Sequence, residues 1–539
     1  MGHLKATRQR PGRQGADAKP PVLAEGARPA LLSDSRSRAL LIVILFIAAF
    51  LRLYQLGSVP RGFYRDEAMN GSNALEIVET GHFQVFYPEN NGREGLFINI
   101  ATPFVRVFGN TAWAVRLPAA IFGILTVWGV CLLGAELFSP PIGLLAAFFT
   151  ATSFWHVVFS RLALRANAAP FLFAWGLYLL LAGIRRLRQG KPYMGPMLLA
   201  GAVYGLGFHT YIAYRATPVL VLGMLLYFFF HARKQGWLGA FWRAAAGFGA
   251  AAALVICPLL IHFARNPGTF FGRTSQVSVF QAPRPAVELG RNIWKTAQMF
   301  FLAGDANWRH NVAVQREVFW PVAILFALGI ATAIGAIRGN MRRRSDSAFP
   351  YAVALGWLVI AAVPVVLADN VPHALRSLLM VPPVFLLAAA GAHRAYGYFS
   401  QRAPAPRGLR IAAAAGFFLV LSYEPYHTYF DVWAPNPKVP AAFDAGLIDL
   451  AEQVNALPKE APKYLAVATG GDLANGIPLS VEPVAYLTRS YTKKQREAAN
   501  IHYVTPENFR PQPGNPAAGA DFCEQVAASL PQAAVFCVK

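Results

Sequence analysis

Apolar stretches of membrane-spanning length recur along the chain, separated by short polar connections. They fall near 39–56, 116–138, 141–159, 167–184, 194–212, 216–231, 244–264, 318–338, 350–368, 376–394 and 409–424. Each approaches the roughly 20 residues that a bilayer helix requires. The pattern therefore predicts a polytopic α-helical membrane protein with about eleven transmembrane helices. Three longer segments interrupt the rhythm: 57–115, 265–317 and 425–539. Within the first, Ala68, Leu75, Ile77 and Val78 recur at helical spacing over 67–80, and the run Leu96–Phe108 is apolar but too short to cross, which predicts a helix lying at the membrane surface. From about 440 onward, a helical pattern at 443–457 alternates with strand-like runs at 464–469, 502–505 and 534–538, as expected of a small α/β C-terminal domain.

Charge orients these spans. Residues 1–38 are polar, basic and rich in Pro, Gly and Ala, the composition of a disordered tail. No small-residue cleavage site follows 39–56, so that span reads as a retained anchor. Basic clusters recur at every second connection: Arg185, Arg186, Arg188 and Lys191; Arg233, Lys234 and Arg243; Arg338 and Arg342 to Arg344; Arg394, Arg402, Arg407 and Arg410. Positive charge gathers on the cytoplasmic side of membrane proteins. The N-terminus is thus expected inside, and loops 57–115 and 265–317 outside. The predicted organisation is a cytoplasmic tail (1–38), a membrane domain (39–424) and an extracytoplasmic domain (425–539), in the plasma (inner) membrane.

Composition agrees with the bilayer as main solvent: 55% of the 539 residues are hydrophobic and only 14% charged. The net charge of +22 could signal nucleic acid, but its clustering between spans excludes that reading. Cys131 and Cys257 fall inside apolar spans. Cys523 and Cys537 share the tail, where a disulfide is open to them if that tail is extracytoplasmic.

Candidate chemistry begins at Asp66 and Glu67, adjacent acids just beyond the first span, where carboxylates are rare unless function holds them. Asp66 and Glu67 read as the catalytic acids, Asp66 as general base and Glu67 orienting the acceptor or binding a cation; the competing roles are capping a helix that starts at Glu67 for Asp66, and pairing with a loop arginine for Glu67. Arginines also stand where topology disfavours them: Arg61, Arg65, Arg93, Arg161, Arg165, Arg215, Arg309 and Arg376. Arginine meets phosphate oxygens with a planar fork, so the set points to a phosphate ligand, with Arg161 and Arg165 foremost. Glu94, His209, Tyr211, Asp305, Asn307, His310 and His373 complete the candidate substrate-binding residues. No compact metal-ligand spacing occurs; magnesium or manganese held by Asp66, Glu67 and a donor phosphate stays open. An enzyme facing outward lacks cytoplasmic nucleotide sugars, so an activated group would arrive on a lipid.

Five ordered stretches resemble glycosyltransferase family 39, the C-type membrane enzymes that include protein O-mannosyltransferases and transferases adding aminoarabinose or galacturonic acid to lipid A. They are Arg65-Asp66-Glu67; Phe108-Gly109 with Ala114-Val115-Arg116-Leu117-Pro118-Ala119-Ala120; Gly143-Leu144-Leu145-Ala146-Ala147 leading to Phe159-Ser160-Arg161; Gly304-Asp305-Ala306-Asn307-Trp308-Arg309-His310-Asn311; and Pro372-His373-Ala374-Leu375-Arg376-Ser377. The resemblance spans about 40–400 and implies a C-type glycosyltransferase fold. It further implies inverting transfer from a polyprenyl-phosphate sugar to a cell-envelope lipid, glycan or protein at the extracytoplasmic face, with catalysis on Asp66. Two departures bear on specificity. Gly92-Arg93-Glu94-Gly95-Leu96 replaces the Lys/His-Pro-Pro-Leu turn of many relatives, and Arg165-Ala166-Asn167 stands where many carry an acid. The alternative, a transporter or lipid flippase, would carry charge near the bilayer midplane and often repeated halves; here charge gathers at span ends, which favours the enzyme.

Overall fold

The structure is a computed structural model and describes residues 34–276, 278–343, 348–402, 406–468, 472–510 and 521–538. The proposed tail lies mostly outside the described residues. Its last four positions are helical, because α1 (Ser35–Leu53) starts where Asp34 accepts from the N–H of Ser37 and satisfies a donor of the first turn.

After α1 come α2 (Arg65–Thr80), a short antiparallel ribbon of β1 (Phe86–Tyr87) and β2 (Arg93–Glu94), and α3 (Leu96–Phe108). The central helices are α4 (Ala112–Leu137), α5 (Pro140–Ala151), α6 (Phe154–Ser160), α7 (Ala168–Arg188) and α8 (Met194–Gly207). Next are α9 (Pro218–Gln235), α10 (Leu238–Arg265), α11 (Pro267–Gln276) and α12 (Pro285–Gln298). The membrane part closes with α13 (Trp320–Arg343), α14 (Phe349–Val366), α15 (Val381–Arg402) and α16 (Arg407–Tyr426), which runs into a π-helical turn, His427–Trp433.

Every apolar stretch read from the sequence contains a helix. Among the described residues, seven helices are long and apolar enough to cross a bilayer, or eight if the bent pair α5–α6 counts as one span. The difference from eleven has local causes. The stretch 141–159 bends by 63° between α5 and α6, because Ser153 caps a new helix by accepting from the N–H of His156. Helix α8 has only 14 residues, while α1 carries Arg36, Arg38 and Arg52, and α16 carries Arg407, Arg410 and Glu424.

The main core joins α4, α6, α7 and α15 with the inner faces of the flanking spans. Glycine sets the closest approach: a Cβ on Gly329 would meet the Leu387 carbonyl, and one on Gly391 the Leu325 carbonyl, so α13 and α15 pack backbone to backbone. Helix α3 buries Phe97, Ile98, Ala101 and Val105 against α2 and α4 while exposing Val107 and Phe108.

Beyond the π-turn, α17 (Lys438–Ala442) and α18 (Gly446–Ala456) lead to a three-stranded parallel sheet. Its order is β6 (Ile501–Val504), β3 (Lys463–Val467), β7 (Ala534–Val538), with the ribbon β4 (Leu473–Ala474) and β5 (Ile477–Pro478) beside it. Helices α19 (Glu482–Leu487), α20 (Lys493–Ala499) and α21 (Phe522–Ser529) complete the unit. A disulfide joins Cys523 and Cys537, whose Cα atoms lie 5.6 Å apart.

This unit packs on α2. Tyr486 fills the notch at Gly71, where any Cβ would collide with its ring, and Ser72 donates to Glu482 at 3.0 Å. Burial pushes the Glu482 carboxyl up to about 8, from an ordinary value of 4.5. The unfolded chain therefore releases this proton first as pH rises, and stability falls between those two values. Glu482→Gln is expected to raise the thermal-unfolding midpoint at about pH 8 and to change it little at about pH 5. A midpoint change equal at both pH values would contradict a protonated, buried Glu482.

Candidate active site

A cavity of about 770 Å³ opens where α2, the turn before α7, the turn 211–216, residues 278–280, the end of α14 and the loop 373–376 meet. That volume suits a small-molecule site. Of the residues singled out in the sequence, Asp66, Arg93, Arg165, Tyr211, Arg215, His373 and Arg376 line it.

Helix α2 begins at Arg65 with Tyr64 as its cap, so Asp66 lies within the first turn and does not cap the helix. An acid there meets the positive end of the helix dipole. Asn90 donates to Asp66 Oδ1 at 2.8 Å, and Oδ2 has no hydrogen-bond partner among the described residues. Asn90 escaped the sequence reading, although Asn90-Asn91-Gly92 was its signal: all three adopt positive φ, which turns the chain back over Asp66.

Glu67 does something else. It is fully buried and accepts from Arg116 Nε and Nη2, both at 2.9 Å. The N–H groups of Ala163, at 2.8 Å, and Tyr64, at 3.3 Å, take its remaining capacity. Arg116 also donates to the Pro60 and Gly62 carbonyls. Glu67 is therefore a structural anchor and not a catalytic group, and a cation bridging Asp66 and Glu67 has no free Glu67 oxygen to use.

Arg161 is a second correction. It is buried, donates to the Leu51 and Val59 carbonyls at 3.0 and 2.9 Å, and stacks on Tyr429 and Phe430. It holds the first span to the π-turn and does not reach the cavity.

The cavity arginines are each pinned. Arg93 donates to Asn70 Oδ1 at 2.8 Å and Asn73 Oδ1 at 2.6 Å; burial and neighbouring Arg165 pull it down to about 10, so it stays charged at neutral pH. Glu94 is not aimed at a ligand: it bridges Arg165 at 2.8 Å and Arg215 at 3.4 Å. Arg376 pairs with Asp369 at 2.9 Å.

Arg65, His209, Asp305, Asn307, Arg309 and His310 do not line the cavity. Arg65 faces Asp444 at 3.7 Å, and Arg309 lies over the Tyr64 ring. His209 Nε2 contacts the Val255 carbonyl at 2.9 Å. Asn307 accepts from the N–H of Arg309. Asp305, His310 and His373 place potential ligand atoms within 4.8 Å of one another. The Asp305 oxygens already accept from His310 and the N–H groups of Asn307 and Ala374. Burial raises the Asp305 carboxyl, but these bonds outweigh it and hold it below the usual range. Asp305 clamps two loops through His310 and the Ala374 N–H, and beside it, with Nδ1 3.9 Å from Asp305 Oδ2, stands a neutral His373, which burial, His310 and Arg376 hold down to about 3.

With this geometry in view, the comparisons are informative. Residues 96–262 match the family model described as dolichyl-phosphate-mannose-protein mannosyltransferase. The chain resembles ArnT from Cupriavidus metallidurans bound to undecaprenyl phosphate, with a TM-score of 0.51, 15% identity, and coverage of 93% of this chain and 89% of that one. The apo state of the same protein gives 0.49, 14%, 92% and 88%. Archaeal oligosaccharyltransferase AglB from Archaeoglobus fulgidus, in complex with an inhibitory peptide and a dolichol-phosphate, gives 0.48, 15%, 87% and 69%. Among curated proteins none matches in sequence. The fold is that of the C-type membrane glycosyltransferases. Within that class, the segment 96–262 is similar to the dolichyl-phosphate-mannose-protein mannosyltransferase family.

Removing one partner from a buried ion pair costs about 3–5 kcal/mol. Glu67→Gln and Arg116→Met should each lower the unfolding midpoint strongly, and the double variant should recover part of the loss. Wild-type stability in Glu67→Gln, with turnover abolished, would return Glu67 to the chemistry.

Proposed function

We propose that the protein is an inverting glycosyltransferase. It takes a sugar from a polyprenyl-phosphate donor at the extracytoplasmic face and passes it to a lipid, glycan or protein of the cell envelope. The observation that carries this reading is one cavity holding a half-buried carboxylate, Asp66, opposite Arg93, Arg165, Arg215 and Arg376. The similarity of residues 96–262 to the mannosyltransferase family and the undecaprenyl phosphate bound to the structurally similar ArnT support the donor class.

The chemistry follows from charge. Asp66 accepts the proton of the acceptor hydroxyl as that oxygen attacks the anomeric carbon. The anomeric C–O bond to phosphate breaks from the opposite face, its electron pair leaving with the phosphate, so configuration inverts. Negative charge grows on the departing phosphate, where fixed guanidinium groups stabilise it more than they stabilise the bound donor. Because Arg93, Arg165, Arg215 and Arg376 are already held by Asn70, Asn73, Glu94 and Asp369, little reorganisation is needed at the moment of reaction. His373, being neutral, can hydrogen-bond a sugar hydroxyl or a phosphate oxygen.

In proteoliposomes supplied with labelled polyprenyl-phosphate hexoses and pentoses, the protein should release polyprenyl phosphate from one of them. Asp66→Asn should lower kcat by about 10²–10⁴-fold with unchanged unfolding, and Arg165→Met should weaken donor turnover. Full activity in Asp66→Asn would remove Asp66 as base.

A further inference from the structure

Helix α12 is inside out for a water-facing helix. Around its axis, Ala286, Val287, Gly290, Ile293, Trp294 and Ala297 fall on one arc of about 120° at 100° per residue, and every one of them is exposed. Val287, Ile293 and Trp294 show 55%, 54% and 63% of their surface. The polar Asn292 and Thr296 are instead buried against the protein. Arg284, Arg291 and Lys295 line one edge of the apolar arc together with Glu288, which pairs with Arg291 at 2.7 Å, and the long cationic stems there can reach toward headgroups while the adjacent face stays apolar.

The depth of this helix is set by what it holds. Asn292 Nδ2 donates to the Val366 carbonyl at 3.0 Å and the Ala368 carbonyl at 2.8 Å, completing the end of α14, one of the seven candidate spans. Upstream, the Val279 N–H donates to the Leu367 carbonyl at 2.9 Å, and Ser278 bridges Ala368. The segment 278–298 is thus stapled to the level at which a span leaves the bilayer, and the lipid-facing side of that span, Val359 and Val363, is exposed as well.

We propose that Pro285–Gln298 lies in the plane of the membrane, with its Val287, Ile293 and Trp294 face sunk into the leaflet at the cavity end of the spans and its cationic edge among phospholipid headgroups. The occupant of this face is phospholipid, because the exposed arc is continuous with the apolar flank of α14 and bordered by the charges that phospholipid favours. Phe280, 64% exposed, lines the cavity together with Ser278, Val363 and Leu367. One wall of the cavity is therefore held by a lipid-embedded element, and the cavity borders hydrocarbon at Phe280.

Spin labels at Val287→Cys, Trp294→Cys, Phe280→Cys and Lys295→Cys in the full chain, on a Cys257→Ala background, test this without reference to activity. In vesicles of phosphatidylethanolamine and phosphatidylglycerol, labels at 280, 287 and 294 should be relaxed by oxygen and shielded from a water-soluble nickel chelate, with the reverse at 295. Nickel access at both 287 and 294 would overturn the proposal by placing the face in water. Protection of those positions from both reagents would overturn it equally, by showing that protein, such as a second copy of the chain, covers the face. Two labelled sites on the arc keep the test intact if one variant fails to fold.

Discussion

One ion pair without water around it governs the geometry of the site. Glu67 and Arg116 are both fully buried, and desolvating two charges is costly unless every remaining donor and acceptor is met. Here that condition holds on the carboxylate: Arg116 and the N–H groups of Ala163 and Tyr64 complete it. The pair thereby draws together the loop after the first span, α4 and the turn before α7. Adjacent residues on a helix point about 100° apart. With Glu67 locked inward, Asp66 is turned toward the cavity, where Asn90 holds its Oδ1. The two neighbouring acids thus take different places: Glu67 anchors the surrounding loops, and Asp66 lines the cavity.

The electrostatics of the cavity follow the same logic of prior commitment. Four arginines line it, and Glu89, Glu94 and Asp369 pair with them from the protein side. A single acid, Glu94, fixes two guanidinium groups, which sets their spacing as well as their orientation. The neutral His373, packed against the His310 ring, adds a polar group to the cavity without adding charge.

Much of this was legible from residue pattern, and the failures have identifiable causes. Apolar periodicity located a helix in each predicted stretch, since the bilayer demands long apolar runs. It could not foresee the bend at 152–153, where a serine cap restarts the helix inside an otherwise unbroken apolar run. Seven candidate residues converge on the cavity, with Asp66, Arg165 and Arg376 among them. Arg161 and Glu67 were misread because charge alone does not reveal whether its partner is a ligand or the protein. Arg161 finds its partners in distant carbonyls and in aromatic rings of the π-turn, and Glu67 finds its own in α4. The contact of Asp305 with the Ala374 N–H joins loops far apart in sequence, which no local spacing encodes.

The seat of Tyr486 at Gly71 carries a wider implication. Because the C-terminal unit inserts an aromatic ring into the very helix that presents Asp66, the two halves of the chain share a tolerance of less than one methyl group. Such a joint resists modular exchange: grafting the tail of a distant homologue onto this bundle would demand matched changes on both surfaces, so the halves are bound to diverge in step.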